Sequence, residues 1–179
     1  MYHVSLDSIA PFRECSFDLE TYSNDDAKLS AACISDNVIL QIATTFEDFG
    51  SGKPPTCVLY NLHDCDPIKD DNVVLKCFAT EREMLLAWAS LIRNSDPDTV
   101  HAYNGWEFDF GYLVERAKIT NCWDEFRFGL GRILSLPSQH IEQTLSSKAY
   151  GDNRWVQMPM SGRIVFDPIV HLQREFKLK

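Results

Sequence analysis

Apolar and polar positions alternate ahead of residue 20. Cys15, Phe17 and Leu19 fall on one side of an extended chain, with Asp18 and Glu20 together on the other. The pattern predicts a strand buried on one face. Polar residues 21–26 follow as a turn, and the apolar run 38–43, continued by Thr44 and Thr45, reads as a second strand. A Gly- and Pro-rich break at 50–55 precedes a short third strand at 56–60, and the Asp-rich segment 61–72 reads as a solvated loop. Three strands joined by loops predict an antiparallel meander.

The period then lengthens. Thr80 and Glu83 form a capping box, and Met84, Leu85, Trp88, Leu91 and Ile92 recur at helical spacing until Asp96, Pro97 and Asp98 stop the run. Residues 99–103 are short and β-prone, which places a fourth strand after a helical crossover. A second helix is expected from about 108 to 118, with Phe110, Val114 and Ala117 on one side, so the order is β-β-β-α-β-α. Beyond Cys122 the pattern is less regular: Phe126, Phe128, Leu130 and Ile133 are expected to supply apolar contacts, and residues 146–153 to form a loop. Residues 162–167 read as a fifth strand, and Pro168 opens a helix through Ile169, Leu172 and Phe176. That helix has no stop signal before Lys179, which suggests a truncated sequence.

Composition narrows the class. With 179 residues, 45% of them hydrophobic, the chain suffices for one core. The six cysteines form no C-x-x-C pair and the five histidines no zinc-ligand spacing, so free thiols are expected, and no zinc. The apolar runs are too short to span a membrane. A net charge of −9 excludes a broad basic clamp on a duplex backbone. It leaves open a nuclease whose carboxylates meet phosphate through metal ions.

Two places carry candidate chemistry. Asp18 and Glu20, spaced i, i+2 on a strand, share a face and suit a divalent metal, although solvated strands contain such pairs too. The strand-to-helix junction 103–109 holds Asn104, Phe108 and Asp109, and loops at strand ends are where sites are built. Each has an ordinary reading as well: Asn104 as a turn former, Phe108 as core, Asp109 as a first-turn acid.

Together, the Asp-x-Glu strand of Asp18 and Glu20 and the Asn-x-x-x-Phe-Asp run of Asn104, Phe108 and Asp109 resemble the proofreading 3′-5′ exonuclease domain of family B DNA polymerases, especially the delta type. The resemblance extends through residues 10–13, 96–98 and 112–117 and through Gly162, Arg163 and Asp167; residues 146–153 look most like versions in large DNA viruses of eukaryotes. It implies an RNase H-like α/β fold, a mixed sheet of three antiparallel strands and a parallel fourth, flanked by helices. It also implies two divalent ions, Mg²⁺ or Mn²⁺, with Asp18 bridging both, Glu20 on the nucleophile side and Asp109 mainly on the other. Leu19, Thr21, Asn104 and Phe108 would hold the unpaired 3′-terminal nucleotides. The implied partners are the single-stranded 3′ end of DNA and the rest of the polymerase chain, with room for a sliding clamp or accessory subunits. The implied location is the nucleus, or a viral replication site in the host cytoplasm.

The family's last motif, a Tyr and an Asp four apart on a later helix, has no counterpart. Tyr22 with Asp26 and Tyr60 with Asp64 have the spacing but precede the second motif, and Asp167 matches a strand position rather than a ligand. Residues 1–179 are therefore expected to be part of an exonuclease domain, with 1–10 at the edge of a preceding region and the missing pair and polymerase domain beyond Lys179. Glu107 adds a charge near the junction, and His63, Asp64, Cys65 and Asp66 read as solvated loop rather than a metal site. A freestanding nuclease of the same fold, or a non-catalytic scaffold, also fits these residues.

Overall fold

The first strand, β1 (Arg13–Thr21), is the axis on which the molecule is built, and in the computed structural model it pairs on both edges. The structure describes residues 10–24, 31–33, 36–147 and 151–176. β1 runs antiparallel to β2 (Ile39–Asp48), which runs antiparallel to β3 (Thr56–Leu62), giving the expected meander. β4 (Val73–Phe78) then lies parallel to β3. The expected order lacked this strand: its burial alternates only partly, and Val74, Lys76 and Cys77 are exposed at the sheet edge. The turn expected over residues 21–26 lies partly outside the described residues.

Helix α1 (Glu81–Ser95) begins at the capping box of Thr80 and Glu83 and ends at Asp96, whose left-handed backbone (φ 46°) turns its N–H onto the Ile92 carbonyl. The crossover delivers β5 (Thr99–His101) parallel to β1. It is shorter than the expected 99–103 because the chain turns at Ala102, whose carbonyl accepts the Gly105 N–H at 3.2 Å. Next come α2 (Asp109–Ile119) and α3 (Trp123–Leu130). Helical spacing turns Phe126 and Leu130 inward but leaves Phe128 exposed, and Ile133, past the end of α3, is exposed too, against expectation for those two.

A hairpin, β6 (Ile141–Ser147) and β7 (Gly151–Gln157), replaces most of the loop expected over residues 146–153; its tip lies outside the described residues. Glu142, Gln143 and Thr144 are exposed, so backbone pairing rather than burial holds this part, and polarity concealed the strands. At its base the Val156 N–H donates to the Trp106 carbonyl at 2.7 Å. β8 (Ile164–Phe166) extends the sheet in parallel beside β5, and α4 (Pro168–Phe176) follows as expected.

The sheet order is β4-β3-β2-β1-β5-β8. One face carries Cys15, Phe17, Ile42, Val58, Tyr60 and Val100 against the buried sides of α1, α2 and α3. Trp88 sits at the centre, fully buried, with its indole N–H donating to Thr44 Oγ1 at 3.0 Å and its ring against Phe17 and Phe126. Trp88→Ala is expected to cost about 3–5 kcal/mol, read from the urea midpoint, since it opens a cavity and strands the Thr44 hydroxyl. Glu14, Ser16, Asp18 and Glu20 alternate onto the opposite face, where Pro168 at the start of α4 borders a groove with Ser16, Asp18 and His101. Among the described residues no helix is long and apolar enough to cross a membrane.

Candidate active site

Asp109 is the residue that ties the two sequence motifs together. It opens α2, where the unpaired N–H groups of a helix start favour a negative charge, and its Oδ1 accepts the backbone N–H of Leu19 on β1 at 3.2 Å. Phe110, the next residue, packs edge-on against Phe17 at 5.2 Å and docks the helix on the strand. The carboxylate is thereby held beside Asp18.

The turn before α2 has its own supports. Asn104 adopts a left-handed conformation (φ 58°), which Asn tolerates better than most residues, and its carbonyl accepts from Glu107 at 3.2 Å and Phe108 at 3.3 Å. Gly105 packs so closely that a Cβ there would lie 2.5 Å from the Ala102 side chain. Asp167 clamps the turn from outside: its oxygens accept the N–H groups of Asn104 and Trp106, both at 3.0 Å, and that of Ile169 at the same distance. Three backbone donors occupy this carboxylate, so its local work is to hold the turn and start α4.

Asp18, Leu19, Thr21, Phe108 and Asp109 line a single cleft of about 250 Å³ together with Tyr103 and Tyr112. The other two expected site residues lie outside that lining. Glu20 is exposed two positions along β1 from Asp18, just before the register of β1 against β2 shifts, and Asn104 is half-buried in the turn. The two tyrosines were not foreseen as cleft residues. Tyr112 had a legible signal, since it falls one helical turn after Phe108 and Asp109; its hydroxyl donates to the Asn37 carbonyl at 3.1 Å. Tyr103, 62% exposed, had none beyond its place next to Asn104.

The remaining candidates are dispersed. Tyr60 is buried against Phe78, Tyr22 and Glu107 are exposed, and residues 63–66 lie exposed in the loop before β4. Among the described residues no group of three or more His, Cys, Asp or Glu side chains is gathered as a metal cluster.

Burial and then the charge of Asp18 push the Asp109 carboxyl up from 3.8 to about 6, against the opposing pull of its own and the Leu19 N–H groups. The folded state thus holds this proton more tightly than the unfolded chain. The stabilisation is complete below about pH 4 and lost as pH rises through about 6, leaving an ionised carboxylate that costs about 3 kcal/mol at neutral pH. Asp109→Asn is therefore expected to raise the urea midpoint of the chelator-treated domain at pH 7 and leave it nearly unchanged at about pH 4. An unchanged midpoint at pH 7 would contradict this. Oxygen donors carrying excess negative charge fit a hard divalent cation, which would relieve the same cost.

A six-stranded mixed sheet, with an antiparallel meander joined through a helical crossover to parallel strands, places the chain in the RNase H-like class of α/β domains. A family model described as DNA polymerase family B, exonuclease domain, matches residues 2–179, and the chain belongs to that family. It is 36% identical over 170 residues to the DNA polymerase delta catalytic subunit of Oryza sativa subsp. japonica, covering 95% of this chain and 15% of that protein. Identity is 34% over 178 residues with the delta catalytic subunit of Drosophila melanogaster (96% and 15% covered). With a DNA polymerase of Pyramimonas orientalis virus it is 33% over 140 residues (78% and 11% covered). The chain thus spans about 15% of the length of the delta subunits it matches.

Proposed function

We propose that the chain is part of the proofreading 3′-5′ exonuclease of a replicative DNA polymerase, with the remainder of that polymerase as its partner. The observation that carries this is the meeting of Asp18 from β1 and Asp109 from α2 at one cleft, with Leu19, Thr21 and Phe108 beside them. Asp18, Glu20 and Asp109 would hold two divalent ions, Mg²⁺ or Mn²⁺. Such ions, when bound, activate water and neutralise charge on the entering and leaving oxygens of a phosphodiester.

The chain's own residues prepare the substrate. Phe108 and Tyr103, 47% and 62% exposed, both line the cleft, and aromatic faces stack on unpaired bases for roughly 1–3 kcal/mol each, whatever the base. Leu19 and Thr21 border the place where the last base would lie, and Asn104 shapes the turn that sets Phe108. A mispaired end reaches such a cleft more readily than a paired one because less pairing has to be broken.

The test uses the intact polymerase chain carrying this domain, with a labelled primer mispaired at its 3′ end. Stepwise release of mononucleotides from that end, dependent on Mg²⁺ and stopped by EDTA, is expected. Degradation from the 5′ end, or activity indifferent to the chelator, would count against the proposal.

A further inference from the structure

The loop leading into β4 brings two thiols together at the surface, far along the sheet from β1. The Sγ atoms of Cys65 and Cys77 lie 3.7 Å apart, in contact, and both residues are exposed. Their meeting follows from independent contacts. The His63 N–H donates to the Phe78 carbonyl at 2.8 Å, fastening the start of the loop to the end of β4. His63 itself turns with positive φ (65°), and Asn61 Nδ2 donates to the carbonyls of Leu62 and His63 at 3.1 and 3.0 Å, fixing that bend. Parallel pairing sets Asn61 opposite Cys77 and Leu62 opposite Phe78. Cys65, two residues past the bend, therefore meets Cys77, one residue before the anchor.

The other described thiols are placed differently. Cys15 is completely buried, with its thiol pushed up to about 12 by desolvation; Cys122 is buried, Cys57 half-buried, and Cys33 exposed.

We propose that Cys65 and Cys77 form a reversible oxidation site, closing an intramolecular disulfide by exchange with a small disulfide of the glutathione type. One cysteine thiolate attacks the small disulfide, forming a mixed disulfide and releasing one small thiolate. The second cysteine thiolate then attacks the protein-side sulfur, forming the Cys65–Cys77 bond and expelling the second small thiolate. The two protein thiols lose two protons and two electrons, and the small disulfide becomes two thiols. The bond ties the loop to the edge strand β4 and leaves the carboxylate cleft untouched. Partial desolvation, the contact with Cys77, and then the carboxylates of Asp66 and Asp64 hold the Cys65 thiol above its ordinary value, which slows exchange at neutral pH.

The experiment incubates the protein in mixtures of oxidised and reduced glutathione and maps its tryptic peptides by fragmentation mass spectrometry, which locates each modified or linked cysteine within peptide 29–69, where Cys33, Cys57 and Cys65 lie together. The expected product is a cross-linked pair joining the peptides that carry Cys65 and Cys77, lighter than their sum by two hydrogens and separated by reductant. Its formation should quicken by about tenfold per pH unit between pH 7 and 8, in step with the thiolate fraction. In Cys65→Ser the cross-link should disappear and Cys77 should carry glutathione. Separate glutathione adducts on both cysteines of the wild-type chain, or both left reduced in mixtures that modify Cys33, would overturn the proposal. Wild-type mapping decides the matter even where a serine variant folds poorly.

Discussion

Replacing Asp18 with Ala in the intact polymerase is expected to slow excision of a mispaired 3′ nucleotide about a thousandfold. Loss of several kcal/mol of charge stabilisation at the reacting phosphate amounts to that factor. Ser16, the preceding residue on the same face of β1, lacks a charge and cannot substitute, and Glu20 would already serve as a separate ligand. Its loss also removes the like charge that raises the proton affinity of Asp109, so the variant domain should be no less stable without metal. Rapid-quench excision assays give the rate, and nucleotide addition by the same chain controls for folding. Excision within about threefold of the unmodified chain, less than 1 kcal/mol at the barrier, would remove Asp18 from the chemistry.

The second large effect lies away from the cleft. Glu81→Ala is expected to cost about 3–5 kcal/mol, a large share of the total stability of an ordinary domain. Glu81 and Arg116 are 6% and 2% exposed, and the guanidinium donates from Nε to Oε1 at 2.9 Å and from Nη2 to Oε2 at 2.6 Å. The same carboxylate accepts the N–H of Ile39 at 2.8 Å at the start of β2, and Arg116 Nη1 donates to the Ala32 carbonyl at 3.2 Å. Removing Glu81 leaves a buried cation and a buried N–H without this partner, and α2, which carries Asp109, loses its tie to α1. Urea unfolding should show the loss, and replacing both partners by apolar residues of similar size should recover much of it, since most of the cost comes from the stranded charge.

What the sequence disclosed follows from which interactions are local. The strand of Asp18 announced itself by alternation, and α1 by a capping box that the backbone confirms at Thr80 and Glu83. Resemblance to a known family then linked Asp18 to Asp109, a pairing that no period in the chain could reveal. β4 and the β6–β7 hairpin stayed hidden because their order rests on backbone ladders more than on burial, so their residues show no clear apolar alternation. Phe128 and Ile133 misled for the opposite reason: apolar residues read as core, yet they are exposed. Asp167 could be set aside as a ligand from its family position, but its work as a clamp on Asn104 and Trp106 required the folded chain. The Arg116–Glu81 pair gave no sequence signal, since either residue alone reads as a solvated helical charge.

The central claim is that Asp18 and Asp109 hold catalytic metal ions. Anomalous scattering from crystals of the polymerase soaked in Mn²⁺ with a short single-stranded 3′ end tests it most directly. Manganese peaks touching the carboxylates of Asp18 and Asp109, next to the terminal phosphate, are the expected result; a bound 3′ end with no metal at either carboxylate would contradict it.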